Sequence, residues 1–209
     1  MHPEPSTHAL LRLADPRALA GTIPAWAERA LARAPWVVLR RARSRDGLLP
    51  VGVRGVTRAE RLAAWLDPRA ALESLTPRQL AARAGWRGAA RVPALAALEE
   101  VAVLMHAHEL LWGPCGSVGF ELASGVATAT EDSDLDLMIE TTVPLARAVA
   151  AELHAALTRL PVRCDVLLEG PQGAVLLEEY AAARTPCVLR TSEGPRLVHD
   201  PWGGAAAAA

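Results

Sequence analysis

The sequence predicts a mixture of α+β and α/β architecture: a small N-terminal α+β module followed by a C-terminal domain with a mixed sheet. Three observations carry that expectation. Two apolar stretches at 36–42 and 49–54 flank Ser44-Arg45-Asp46-Gly47, which has turn chemistry and predicts a hairpin. From residue 93 onward, stretches of helical period alternate with short apolar runs, the pattern of strands separated by helices. Between the two lies a glycine- and arginine-rich break at 85–93. The expected boundaries are therefore 1–88 for the first module and 89–202 for the second, with a disordered tail at 203–209 of two glycines and five alanines. With 209 residues and 51% hydrophobic content, the chain can bury one large core or two small ones.

Taken in order, residues 24–34 have helical spacing. The hairpin follows. Thr57-Arg58-Ala59-Glu60 is a capping box and predicts a helix through about residue 66. Thr76-Pro77 opens another helix that Gly85 can end. Pro93 opens a long amphipathic helix to about 106. Leu110-Leu111-Trp112 is a short strand, and Gly113-Pro114-Cys115-Gly116 turns the chain into a helix over 117–123, closed by Gly125. A strand at 135–140, a helix at 144–160 and a strand at 162–169 come next. The last elements are a helix near 174–184 and a hairpin of 187–191 with 196–199, turning at Glu193-Gly194-Pro195. Its strands should add antiparallel edges to the core.

Composition narrows the chemistry. All 22 basic residues are arginine. That excludes a Walker A loop, a lysine Schiff base and any lysine general base, so phosphate charge must be met by metal, arginine and backbone N–H. The formal charge of −1 gives no global argument for nucleic acid. Cys115, Cys164 and Cys187 make neither a paired framework nor a zinc spacing. The N-terminus lacks a basic segment followed by an apolar one, and no apolar run reaches membrane-span length. A reduced, cytoplasmic protein without membrane contact is the expectation.

The chemistry concentrates in one constellation. Gly116-Ser117 at a helix start presents backbone N–H groups and a hydroxyl to an anion such as phosphate. Asp134 and Asp136, two apart at the start of an apolar strand, point to one side with Cα atoms about 6.5–7 Å apart. On the later strand, Arg163 and Asp165 share the polar face. If the two strands are neighbours, Asp165 lies beside Asp136. Three carboxylates so close repel one another in a low-dielectric cleft, and a bound divalent cation relieves that. The bland alternative, a capping aspartate and a turn glycine, explains each residue singly and the combination poorly.

Other residues are weaker candidates. His106 and His108 face different ways on a helix, and His154 and His199 have no visible partner. Cys115 is better read as a small residue fitting a turn than as a nucleophile. Gly113, Gly116 and Gly119 do not have dinucleotide-fingerprint spacing, and the six tryptophans read as core. Between residues 40 and 61 lie seven arginines against Asp46 and Glu60. Arg41 and Arg43, on one side at the hairpin's end, are candidates to bind phosphates or an acidic partner protein. The alternative is the solvated face of a hairpin.

Gly116-Ser117 with Asp134, Asp136 and Asp165 resembles the polymerase-beta-like nucleotidyltransferase superfamily over about residues 93–170. The interval from Ser117 to Asp134 is longer than in many members. A closer resemblance covers nearly the whole chain. Pro35-Trp36-Val37-Val38, Val51-Gly52-Val53-Arg54-Gly55, Trp112-Gly113-Pro114-Cys115-Gly116-Ser117-Val118-Gly119-Phe120-Glu121-Leu122, Ser133-Asp134-Leu135-Asp136-Leu137 and Gly194-Pro195-Arg196-Leu197 look like the phosphoribosyl-dephospho-CoA transferases of malonate decarboxylase systems. Those enzymes are also called malonate decarboxylase holo-acyl-carrier-protein synthases.

That resemblance implies nucleotidyl transfer. A serine of the acyl-carrier subunit of malonate decarboxylase would attack the α-phosphate of triphosphoribosyl-dephospho-CoA, releasing pyrophosphate. Mg²⁺ or Mn²⁺ would sit on Asp134 and Asp136, Asp165 would complete the metal site or take the serine proton, and Gly116 and Ser117 would hold departing phosphates, with Arg163 nearby. A nucleotidyltransferase using ATP or another nucleotide keeps the chemistry and changes the substrates. A non-catalytic, partner-binding member of the same fold is the remaining alternative, against which the intact carboxylates argue.

Overall fold

A computed structural model describes residues 6–57, 59–83 and 91–203. Its first part is a six-stranded antiparallel sheet. The strands are β1 (Leu10–Leu13), β2 (Leu19–Ala20), β3 (Trp36–Leu39), β4 (Leu49–Arg54), β5 (Arg61–Leu66) and β6 (Ala71–Leu75), in the order β2-β5-β4-β3-β1-β6. Helix α1 (Ala25–Arg33) lies on one face. Alternation along the strands sends Leu11, Val37, Leu39, Val51, Val53, Ala64 and Leu66 to that face, against Ala27 and Leu31.

The opposite face has its own apolar residues. Leu10, Trp36 and Leu75 pack there with Leu80 of α2 (Pro77–Ala82) and with Phe120, Leu122 and Ala123 of α5 (Gly116–Ser124). The two parts of the chain are therefore joined by a buried apolar seam. Helix α2 starts at a complete capping box, in which the Thr76 side chain accepts from the Gln79 N–H and Gln79 returns a bond to the Thr76 N–H. Its first turn runs against Gly113, where a Cβ would strike the Pro77 carbonyl.

The second sheet contains β7 (Leu111–Pro114), β8 (Leu135–Glu140), β9 (Cys164–Gly170), β10 (Gly173–Leu176), β11 (Cys187–Thr191) and β12 (Gly194–Val198), in the order β12-β11-β10-β9-β8-β7. Only β8 and β9 are parallel, joined across α6 (Arg147–Leu157); the other pairings are antiparallel. The core lies between this sheet and α4 (Leu98–Ala107), α6 and α7 (Leu177–Ala181), where Val101, Met105, Leu153, Leu177 and Tyr180 meet Leu135, Leu137, Ile139 and Leu168. The architecture is α+β in two modules with a mixed second sheet, as the sequence predicts.

Several elements differ from expectation. The helix predicted after the 57–60 capping box is strand β5. Thr57 N–H does donate to Glu60 Oε2 at 3.0 Å, but only within a turn. Leu62, Ala64 and Leu66 alternate with Arg61, Ala63 and Trp65, and the chance to extend the core under α1 overrides local helix propensity. Strands β1, β2 and β6 have no counterpart in the sequence expectation. Strand β3 stops at Leu39. The helix expected at 93–106 is divided at Ala97 into α3 (Pro93–Ala96) and α4, and that at 144–160 is shortened to α6. The helix near 174–184 yields its first residues to β10, because Gly173–Leu176 pairs with β9. Gly85, most of the 85–93 break and residues 204–209 lie outside the described residues. Among the described residues, no helix is long and apolar enough to cross a membrane.

Candidate active site

The parallel register of β8 and β9 puts Asp136 directly opposite Asp165 and Glu140 opposite Glu169. Leu135, Leu137 and Ile139 on one strand and Val166 and Leu168 on the other are buried in the core below. Asp136, Glu140, Asp165 and Glu169 consequently share the far face of the sheet, the face turned toward the N-terminal module. Asp134 sits just before β8, half-buried, one alternation earlier on the same side. The structure thus brings together the three carboxylates singled out in the sequence.

Gly116 lies beside them. The Cys115 N–H donates to the Asp136 carbonyl at 2.8 Å, which anchors the start of α5 to β8. Gly116 has φ +56°, and a Cβ there would collide with the Asp136 carboxylate. Both constraints demand glycine. Cys115 provides no side-chain cap, so the first-turn N–H groups of Gly116 and Ser117 are not used by one. Thr128 Oγ donates to the Ser117 carbonyl at 2.8 Å, holding the loop between α5 and β8 against the helix.

That loop is tied down further by Glu121, which sequence reasoning quoted but gave no role. Its carboxylate accepts from the N–H groups of Thr128 and Ala129 and from Arg91. Burial pushes the Glu121 carboxyl up, but the Arg91 and backbone bonds outweigh it and hold it below its ordinary value. Asp134 is delivered from the end of this pinned loop, after a turn in which Ser133 N–H donates to the Thr130 carbonyl at 3.1 Å.

The electrostatics are those of a crowded acidic cleft. Burial raises the Asp136 carboxyl above the usual range; Asp165 and Asp134 raise it further, while Arg54 and Arg163 pull it down. Arg163 donates to Asp165 Oδ1 at 2.9 Å, and both Asp165 and Asp134 hold its guanidinium more firmly protonated. The Cys115 thiol is buried and pushed far up, by burial first and then by Asp136 and Glu169. Cys164 is raised to about 11 by burial and Asp165. Neither sulfur is an activated nucleophile.

Arg41 and Arg43 are placed elsewhere than at the three aspartates. Arg41 makes a forked ion pair with Glu169, and Arg43 pairs with Glu193. Arg78 of α2 lies 3.8 Å from Glu140. These contacts clamp the N-terminal module onto the carboxylate face. His8 sits in the same seam; burial and then Arg41 lower its pKa against the opposing effect of Glu169, so it is neutral at neutral pH.

Burial, then Asp165 and Asp134, raise the Asp136 carboxyl, and carboxylate oxygens from Asp134, Asp136 and Asp165 are the donor chemistry that suits a hard divalent cation. As the side chains stand, no group of three or more His, Cys, Asp or Glu among the described residues is gathered closely enough to hold one.

Known proteins place this arrangement. The profile described as "Phosphoribosyl-dephospho-CoA transferase MdcG C-terminal domain" matches residues 74–201, and the corresponding N-terminal domain matches residues 6–77. The chain belongs to this phosphoribosyl-dephospho-CoA transferase family. Among its relatives, a protein of that name from Azotobacter vinelandii is 41% identical over 206 residues, spanning 97% of either chain. One from Pseudomonas fluorescens is 41% identical over 198 residues, spanning 93% of this chain and 92% of the relative. One from Pseudomonas aeruginosa is 40% identical over 202 residues, spanning 95% and 94%. No solved structure matches the chain. Within this member of the transferase family, the two matched segments meet at residues 74–77, where β6 ends and α2 begins.

The contact between Gly116 and Asp136 is directly testable. Gly116→Ala forces a methyl into the carboxylate and a left-handed backbone onto a residue with a side chain, a strain of roughly 1–2 kcal/mol. Unfolding midpoints should fall accordingly. Turnover should fall by far more than that loss of stability accounts for, because Asp136 is displaced. A variant that is destabilised but fully active would separate Gly116 from the site.

Proposed function

We propose that the protein transfers the phosphoribosyl-dephospho-CoA group of a triphosphorylated donor, triphosphoribosyl-dephospho-CoA, onto a serine of the malonate decarboxylase acyl-carrier subunit. The observation that carries this reading is the pairing of Asp136 with Asp165 beside the Gly116 turn, in a chain belonging to the phosphoribosyl-dephospho-CoA transferase family. The serine oxygen forms a bond to the α-phosphorus, the bond to the outer two phosphates breaks, and pyrophosphate leaves.

Each residue has a part in this. Asp134 and Asp136 would hold Mg²⁺ or Mn²⁺, with Asp165 completing the set; such an ion supplies charge neutralisation of the triphosphate and lowers the pKa of the attacking hydroxyl. The serine proton passes to a carboxylate of this set, of which Asp165 lies at the open end of its strand beside exposed Arg163. The N–H groups at the start of α5 and the Ser117 hydroxyl orient the departing phosphates. Glu121 positions Asp134 by fixing the loop before it.

Mass spectrometry of the apo carrier subunit tests the proposal. Incubated with this protein, donor and Mg²⁺, the carrier should gain the mass of one phosphoribosyl-dephospho-CoA phosphodiester at a serine, with stoichiometric pyrophosphate. Chelation should stop the reaction, and restoring Mg²⁺ or Mn²⁺ should restart it, since the ion on Asp134 and Asp136 would neutralise the triphosphate at the site of attack. Modification from ATP but not from the CoA-derived donor would make the protein a nucleotidyltransferase of different substrate. Full turnover in metal-free buffer would remove the metal from the mechanism.

A further inference from the structure

Three arginines of the N-terminal module share one face, and none of them forms an ion pair with a described carboxylate. In β4, Val51 and Val53 are buried beneath α1, so Gly52 and Arg54 point the opposite way. A Cβ on Gly52 would lie 3.2 Å from Val38 Cγ1 and 3.4 Å from Arg40 Cδ, which places Arg40 on that same side. The antiparallel register sets Arg61 of β5 directly opposite Arg54. This is the face on which Trp36, Leu75 and Leu80 pack against α5, so it is turned toward the carboxylate site.

These arginines contrast with their neighbours. Arg41, Arg43 and Arg78 are each matched to a glutamate. Arg40, Arg54 and Arg61 are exposed, and none forms an ion pair with a described carboxylate. Like charges directly opposite on an antiparallel pair repel, and Arg54 stands against Arg61. An anion bridging them turns that repulsion into attraction. Trp36 on that face packs with Phe120 and Leu122 of α5, whose first residue, Gly116, adjoins Asp136, so such an anion lies toward the acidic cleft rather than at a remote edge.

We propose that Arg40, Arg54 and Arg61 form an anion platform that holds the condensed phosphate chain of the donor above Asp134 and Asp136. This rests on the transferase reading above. Forked guanidinium groups suit phosphate oxygens, and arginine keeps its charge beside a carboxylate cluster. The platform also gives the N-terminal module a chemical role. One sheet supplies the carboxylates, the other supplies the cations, and the phosphates lie between. Arg41, Arg43 and Arg78 hold the two sheets together.

Calorimetric titration with inorganic tripolyphosphate, alongside transfer kinetics, tests the platform in Arg54→Gln/Arg61→Gln and Arg54→Lys/Arg61→Lys double variants. The glutamine pair should lose about tenfold or more in tripolyphosphate affinity and raise the donor KM about as much, with carrier KM and kcat within about twofold. The lysine pair should recover part of the loss, since it restores charge without the fork. Circular dichroism should show both variants folded. Unchanged tripolyphosphate affinity in the glutamine pair overturns the platform. So does a raised carrier KM with unchanged donor KM, which would make this face a dock for an acidic protein. If the wild-type protein binds tripolyphosphate through these arginines yet modifies no apo carrier subunit, the platform stands and the transfer reading fails.

Discussion

Asp136→Asn is expected to abolish transfer, by at least about a hundredfold, while the protein stays folded and its metal-free form becomes more stable at neutral pH. The activity loss follows from placement. Asp136 touches the Gly116 turn, faces Asp165 across the parallel register, and is the most crowded carboxylate of the set. In the proposed mechanism, removing its charge removes a metal ligand whose electrostatic contribution is of the order of several kcal/mol, and about 1.4 kcal/mol is a factor of ten in rate. The stability gain has the opposite origin. Burial, Asp165 and Asp134 raise the carboxyl in the native state, so the native protein binds this proton more readily than the unfolded chain does. Stability therefore falls as pH rises from about 4, the ordinary carboxyl value, through the raised native value, and the full penalty is present above that raised value. Asparagine has no such penalty. The gap between variant and parent should open with rising pH and close below about pH 4. Unfolding midpoints measured across that range in chelator, together with turnover in Mg²⁺, check both halves. Near-wild-type turnover would remove Asp136 from the mechanism. A variant less stable than its parent at neutral pH would mean that the carboxylate is structural.

The carboxylate site was legible in the sequence because its signals are local. Asp134 and Asp136 are two apart, Arg163 and Asp165 are two apart, and apolar neighbours fix which way each strand faces. One topological assumption, that β8 and β9 adjoin, then converts two patterns into one cleft, and the parallel register supplies it. The N-terminal module was less legible. Arg41 and Arg43 stand out in a linear reading, but their partners Glu169 and Glu193 are 128 and 150 residues away. No local pattern separates an arginine paired at that distance from Arg40 or Arg54, neither of which forms an ion pair with a described carboxylate. Strand β5 was missed for a related reason. Thr57 and Glu60 make half of a real capping interaction, while the register with β4 that determines the state of Leu62, Ala64 and Leu66 is a tertiary property. Glu121 shows the same limit. It sits on an evident helix, and only the loop folded against it reveals what it holds.

Arg41→Glu should weaken the protein much more than its neighbour Arg43→Glu, and a partner substitution should repair it. Arg41 and Glu169 are joined by a forked ion pair whose side chains retain only 15% and 20% of their exposure. Glutamate at 41 would set two carboxylates against each other beside half-buried His8. Breaking such a pair by removing one partner is worth about 3–5 kcal/mol when fully buried, and about 2–3 kcal/mol is expected at this partial exposure. Arg43 is 74% exposed, so reversing it should change stability by less than about 1 kcal/mol. Loss of the Arg41 clamp loosens the seam that holds Arg54 over Asp136, so turnover should fall with stability rather than through one substrate's KM alone. The charge swap Arg41→Glu with Glu169→Arg restores opposite signs at the same place and should recover most of both losses. Urea unfolding and transfer kinetics on the two single variants and the swap complete the cycle. A swap no better than the sum of its parts would show that Arg41 serves the donor or carrier directly. Recovery would make Arg41 a residue that positions one sheet over the other.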